Sequence, residues 1–413
     1  MLSLLTHTRR FACLLIVAAG CSAAEAPLTL AVAVEQTLAR NPDLQRFMFR
    51  LRAQAARVEI AGLKPPLELR TEVEDAFGTG RTSGVDVAEA SFSLSQVIEL
   101  GNKRGYRVDA AQTASSLIEI ERAAAQLDVL AEVTRRFIHV ASDQEQLELT
   151  QSATTLAEET VTAAETRVAA ARAPEVEVRR ARITLARAQI EQEHAEHELM
   201  SSRRKLAAMW GESEPAFGAV EADLYSLPPA DPFEALAARL ERSPDFARFA
   251  SEARLRDAEI RLAQSQARSN IAVSAGIKQL QQTHDQALIF GVTVPLFNAR
   301  RAHGAIDEAA ALRAQTDAEL AAHRVRAEAQ LFELYQELRH AITEAEVLRA
   351  NVLPEMQAAL EATRFAFERG RYSYLEWVDA QHELIDVRRG LIEASANAHL
   401  YRAEIERLTG EPL

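Results

Sequence analysis

Cysteine is nearly absent from this 413-residue chain, whose two thiols are Cys13 and Cys21. Both lie near the start, so no disulfide is expected within the body of the protein, and stability must come from packing. Lysine is confined to positions 64, 103, 205 and 278. Aromatics make up 6% of the residues and glycine occupies 15 positions, too few for a chain rich in tight turns and small cores. After residue 21 no apolar run approaches the roughly 18 residues of a membrane-crossing helix. A formal net charge of −13 argues against nucleic acid as a partner. There is no phosphate-cradling glycine loop, nucleophile motif or cysteine metal cluster. Neither an enzyme nor a cofactor is therefore expected.

What the chain does have is length in helix-forming tracts of Ala, Arg, Glu and Leu, and the same unit twice. Leu38, Arg40, Pro42, Asp43, Arg46, Phe47, Arg52, Ala56 and Ala61 recur, 202 positions later, as Leu240, Arg242, Pro244, Asp245, Arg248, Phe249, Arg254, Ala258 and Ala263. Further on, a shift of 199 pairs Ala181 with Ala380 and Leu185 with Leu384. We expect a first repeat over 21–210, a connecting segment over 211–230 rich in Pro and Gly, and a second repeat over 231–413.

The first 20 residues read as a signal peptide, with Arg9 and Arg10 preceding an apolar run from Phe11 to Ala19. Two cleavage readings stay open. Ala18-Ala19-Gly20-Cys21 resembles a bacterial lipobox, with Ala where Leu is usual, and would leave Cys21 as an acylated first residue. Ser22-Ala23-Ala24 offers the small residues that ordinary signal peptidase requires.

Each repeat should open with a short helix and then restart. Asn41-Pro42-Asp43 and Ser243-Pro244-Asp245 both place a capping side chain, a first-turn proline and an acid in order. The pattern then changes from period 3.6 to period 2. Strands are expected at about 66–77 and 87–97, and again at about 269–280 and 286–296. Leu67, Leu69, Thr71 and Val73 alternate with Glu68, Arg70, Glu72 and Glu74; Ala90, Phe92 and Leu94 alternate with Ser91, Ser93 and Ser95. Ten-residue strands with one apolar and one polar face suit a transmembrane barrel, in which the charged and serine residues face the lumen. Two half-buried hairpins on a soluble core would look alike, but no other sheet or globular core is apparent for them to cover.

Long helical hairpins should follow, over about 105–210 and 303–410, the second carrying a proline at 354. Val176, Ile183 and Ile190 fall seven apart, as do Val178, Leu185, Gln192, Leu199 and Leu206. Two such seams on one helix imply neighbours on both sides, as in a ring of helices. The fold class is therefore mainly α with a small β part. Four strands cannot close a barrel, and open edges in hydrocarbon leave backbone groups unpaired. Two copies would supply a plugged cylinder of about eight strands, three a wet one of about twelve. A homotrimer embedded in membrane lipid is the expectation.

At this point the residues resemble a known family. Ser93-Leu94-Ser95-Gln96-Val97-Ile98-Glu99-Leu100-Gly101-Asn102-Lys103-Arg104 is similar to the strand-to-helix segment of TolC-type outer-membrane efflux proteins, in their heavy-metal branch of cobalt–zinc–cadmium and copper–silver exporters. That branch usually shows a second glycine at Asn102; asparagine also tolerates positive φ. Val294-Pro295-Leu296-Phe297-Asn298 resembles the strand-ending motif of the second half, where Pro295 would remove a ladder donor. The resemblance implies an outer-membrane duct projecting into the periplasm as an α-barrel beneath the β-barrel. It would dock on a periplasmic adaptor (membrane fusion) protein and an inner-membrane resistance-nodulation-division pump. The docking tip would be formed by the turns holding Arg172, Pro174, Glu175, Gly370, Tyr372 and Ser373. A duct for drugs or other organic solutes, and a periplasmic adaptor or structural coiled coil, are the alternatives.

Secondary signals are weaker. His194 and His197 stand one turn apart near Glu191 and Glu198, a pattern able to share a cation or simply to coat a solvated helix. Glu368, Glu376 and Asp379 could line an acidic mouth. Lys103-Arg104 and Arg300-Arg301 are placed to meet a membrane interface.

Overall fold

A computed structural model describes residues 27–411; Cys21 and the signal segment lie outside them. A minimal strand β1 (Leu28–Thr29) leads into helix α1 (Leu30–Arg40), whose first turn is capped by the Thr29 hydroxyl accepting from the Val32 amide. Asn41 then caps α2 (Pro42–Gly62), accepting from the amides of Asp43 and Leu44. Pro42 opens that helix at a position where a missing donor costs nothing.

Strands β2 (Leu67–Glu74) and β3 (Glu89–Ile98) follow. Helix α3 (Lys103–Ala169) has 67 residues, about 100 Å at 1.5 Å per residue. It turns back into α4 (Glu175–Ala207). The second half continues through β4 (Val220–Glu221), α5 (Phe233–Leu240), α6 (Pro244–Ser265), β5 (Ile271–Leu280), β6 (Asp285–Thr293), α7 (Asn298–Val347), α8 (Leu353–Glu368) and α9 (Tyr374–Thr409).

The long helices approach one another through alanine. Ala131, Ala141, Ala157 and Ala164 of α3 and Ala181, Ala195 and Ala207 of α4 are all buried, so the backbones can pack closely with little side-chain entropy lost. Of the two heptad seams on α4, Leu199 and Leu206 enter a core with Val133, Phe137 and Val140 of α3, and Val178 packs beside Ala164. The other seam, Val176, Ile183 and Ile190, stays exposed. A second core joins Leu236 and Leu240 of α5 to Leu331, Leu338, Ile405 and Leu408.

Residues 211–230 do more than connect the halves. Phe217, Val220 and Leu224 are buried in the first core, and β4 pairs in parallel with β1. Because so short a strand leaves buried backbone groups short of partners, Gln144 completes it. Its carbonyl oxygen accepts from the Val220 amide at 2.7 Å, and its Nε2 donates to the Val220 carbonyl at 3.1 Å.

The second long helix is not continuous as its length suggests. A π turn at Leu348–Val352 separates α7 from α8. Pro354 lacks the amide that an α-helix would direct at residue 350 and would press its ring on that carbonyl, so the preceding turn widens. Arg349, in the widened turn, donates to the Tyr225 carbonyl at 3.0 Å.

Both strand pairs reach their long helix through left-handed residues: Gly101 (φ 76°) and Asn102 (φ 55°) before α3, and Phe297 (φ 65°) before α7. A Cβ at Gly101 would stand 2.8 Å from the Arg268 Cγ, so glycine is required there by space as well as by φ. Strand β6 stops at Thr293, short of the expected 296, since Pro295 offers no ladder donor and restrains Val294 before it. Replacing Asn102 by valine should cost about 1–2 kcal/mol of left-handed strain, and replacing it by glycine almost nothing. Thermal midpoints of the purified variants would show this ordering.

Candidate functional site

The four central strands form one antiparallel sheet in the order β2-β3-β5-β6, so the two hairpins meet along β3 and β5. Register sorts the side chains. On one face Glu68, Ser95, Ser274 and Gly291 stand in a row, then Arg70, Ser93, Gly276 and Ile289, then Glu72, Ser91, Lys278 and Ala287. Glu74, Glu89, Leu280 and Asp285 form the last row. Gly276 is imposed by packing, because a Cβ there would sit 2.3 Å from the Phe92 carbonyl oxygen. The other face is mostly apolar through its middle, with Leu69, Leu94, Ala275 and Phe290, then Thr71, Phe92, Ile277 and Leu288, while Gln96, Gln279 and Gln286 join its outer layers.

That apolar face is bare. Leu69 is 69% exposed, Leu288 72% and Phe290 76%. Each such side chain left in water forgoes about 1.5–3 kcal/mol of burial, so the face calls for a nonpolar surrounding. The outer edges of β2 and β6 also lack ladder partners among the described residues.

At the opposite end of the helices the two turns lie side by side. Phe367 stacks on Trp377 with centroids 4.6 Å apart, and the Arg167 guanidinium lies 4.2 Å from the Phe367 ring while donating to the Phe367 carbonyl at 2.9 Å. This clasp joins α3 to the α8–α9 turn. Arg172, Pro174, Glu175, Gly370, Tyr372 and Ser373 are all exposed around it. One donor at the tip, Trp377 Nε1, is buried without a hydrogen-bond partner among the described residues.

Against known proteins, the profile of the family described as outer membrane efflux protein matches residues 33–212 and 236–411. The chain belongs to this outer membrane efflux protein family. It is 29% identical to the cobalt-zinc-cadmium resistance protein CzcC of Cupriavidus metallidurans over 94% of this chain and 91% of that one. Its fold is that of the outer-membrane channel OprN, with a TM-score of 0.75 at 17% identity over 92% of this chain and 89% of that one. CusC, solved in connection with transmembrane channel formation, superposes with a TM-score of 0.73 at 15% identity over 94% and 93% of the two chains.

Within this efflux protein several charged residues sit elsewhere than their spacing suggests. Lys103 is not an interfacial surface charge: it is 3% exposed, and its Nζ donates to the Asn270 side chain at 2.6 Å. Burial pushes its ammonium below the ordinary lysine range, with Glu99 opposing that shift. Arg104, Arg300 and Arg301 remain exposed. Glu99 is held by Arg107 in a two-pronged ion pair, the longer arm 3.0 Å, and Arg107 also donates to the Leu63 carbonyl at 3.2 Å. These contacts lock the end of α2 to the strand-to-helix junction. His194 faces Glu198 at 3.9 Å on an exposed surface. Among the described residues no group of three or more His, Cys, Asp or Glu side chains is placed to hold a metal ion.

Glu376 is committed to the tip and is not a free mouth carboxylate. It accepts from the Ser373 amide at 2.7 Å, and Ser373 caps the Glu376 amide in return. Hydrogen bonds from the Ser373 backbone, and then from its hydroxyl, hold the Glu376 carboxyl below the usual carboxylate range. A depressed carboxylate contributes stability above its unfolded pKa and loses it as pH falls through the folded value. Amide protection at residues 374–377 should therefore decline as pH drops below the ordinary glutamate range. Hydrogen exchange on wild type and Glu376→Gln would check it, the variant, whose amide oxygen can still accept from Ser373 but cannot titrate, losing the pH dependence.

Proposed function

We propose that this efflux protein is the outer-membrane exit duct of a tripartite system exporting heavy-metal cations, assembled as a homotrimer. The observation that carries the metal assignment is the near full-length similarity to a cobalt-zinc-cadmium resistance protein. The polar sheet face agrees with it, since Glu68 and Glu72 present carboxylates that attract cations without a cage that would retain them.

Assembly follows from what one copy leaves unfinished. The free edge of β2 in one copy faces the free edge of β6 in the next, in the antiparallel sense that continues the sheet. Three copies then enclose a cylinder with carboxylates and serines inward and the apolar face toward lipid. The exposed seam of Val176, Ile183 and Ile190 on α4, and the exposed Val325 and Phe332 one heptad apart on α7, supply matching apolar stripes between neighbouring helices. At the tip, Arg172, Pro174, Glu175, Gly370, Tyr372 and Ser373 form the surface offered to a periplasmic adaptor, which links the duct to a resistance-nodulation-division pump. The clasp of Arg167, Phe367 and Trp377 holds that surface rigid. Acylation of Cys21 would add a lipid anchor at the outer membrane.

A strain lacking the gene should lose resistance to one or more of zinc, cobalt, cadmium, copper and silver, and regain it from a plasmid copy; unchanged tolerance to all five removes the metal assignment. Ile183→Glu places a charge in each proposed seam at a cost of several kcal/mol per interface. The trimer band after mild cross-linking should then fall severalfold while helical circular dichroism stays the same.

A further inference from the structure

Among the described residues, Arg70 is the cation of the polar sheet face that lacks an ion-pair partner. Carboxylates outnumber cations on this face five to two: Glu68, Glu72, Glu74, Glu89 and Asp285 against Arg70 and Lys278. Lys278 is neutralised in place, paired with Glu74 at 3.3 Å and with Glu89. Arg70 is exposed and has no ion-pair or hydrogen-bond partner among the described residues. Its row across the sheet is Ser93, Gly276 and Ile289, with no acid in it. Glu68 and Glu72 lie one pleat away on either side, about 7 Å along the strand. Its cross-strand neighbour Ser93, and Gly276 one strand further on, are both small.

We propose that Arg70 sets the charge selectivity of the duct. The inference rests on the trimeric barrel proposed above, in which symmetry brings three Arg70 side chains to one height of the lumen. They form a positive ring between two negative ones. The acidic wall concentrates cations, while the Arg70 ring opposes their passage and admits their counter-anions. Cation preference is thereby held below the value the carboxylates alone would set. The same ring would slow return of divalent cations from outside, since repulsion by a fixed charge scales with the charge of the ion.

The test is the reversal potential of purified protein in planar bilayers under a potassium chloride gradient at low ionic strength, where the Debye length is about 30 Å. Arg70→Gln should raise the cation-to-anion permeability ratio about twofold, and Arg70→Glu further. Arg70→Lys should keep the wild-type ratio, and the differences should shrink at about 1 M salt, where screening acts within about 3 Å. A conducting Arg70→Glu channel with the wild-type reversal potential overturns the inference and leaves the duct standing. Wild-type protein that inserts and conducts nothing overturns the duct and the inference together.

Discussion

A sheet of four strands with two unpaired edges and an uncovered apolar face is the constraint from which the rest of this structure follows. In water the bare Leu69, Leu288 and Phe290 side chains would drive association without order, and in hydrocarbon the free edges of β2 and β6 would each leave a row of unsatisfied amides and carbonyls. Both penalties vanish together only if the sheet continues into other copies and closes. The proposed homotrimer is thus a consequence of hydrogen-bond bookkeeping more than of any single attractive contact. The same incompleteness marks the helices, where one seam of α4 is buried inside the chain and its companion is left bare.

Length and stiffness come from economical means. Alanine at the helix contacts lets α3 run unbroken for 67 residues against α4 without bulky interdigitation. Larger side chains are concentrated where the short helices and residues 211–230 wrap the middle of the hairpins, and at the tip, where Phe367 and Trp377 stack. The two halves are not mechanically equal. Pro354 opens a π turn in the second, and Arg349 ties that turn to the central segment through the Tyr225 carbonyl. The first hairpin has no such interruption.

Charge is divided between groups that hold the fold and groups left to act on solutes. Glu99 is spent on Arg107, Glu376 on the cap of α9, and Glu74 with Glu89 on Lys278. Among the described residues, Glu68, Arg70 and Glu72 are not engaged by any such pair. A conduit benefits from this arrangement, because diffuse attraction raises the local concentration of an ion without the multidentate ligation that would trap it.

Much of this could be read from the chain directly. Period-2 alternation separated the charged and serine face from the apolar one, because pleating alone sends successive side chains to opposite sides. The Gly-Asn turn before α3 and the proline-led starts of α2 and α6 were legible because only certain residues tolerate those backbone angles. Tertiary structure decided what local rules leave open. Nothing in a phenylalanine announces that Phe297 turns left-handed, and nothing near Lys103 reveals that Asn270, distant in sequence, takes it out of solvent. The pairing of β3 with β5, and with it the isolation of Arg70 and the neutralisation of Lys278, arises only when the two repeats are brought together. Periodicity depends on neighbours along the chain, whereas partnership depends on which distant surfaces the packed halves present to each other.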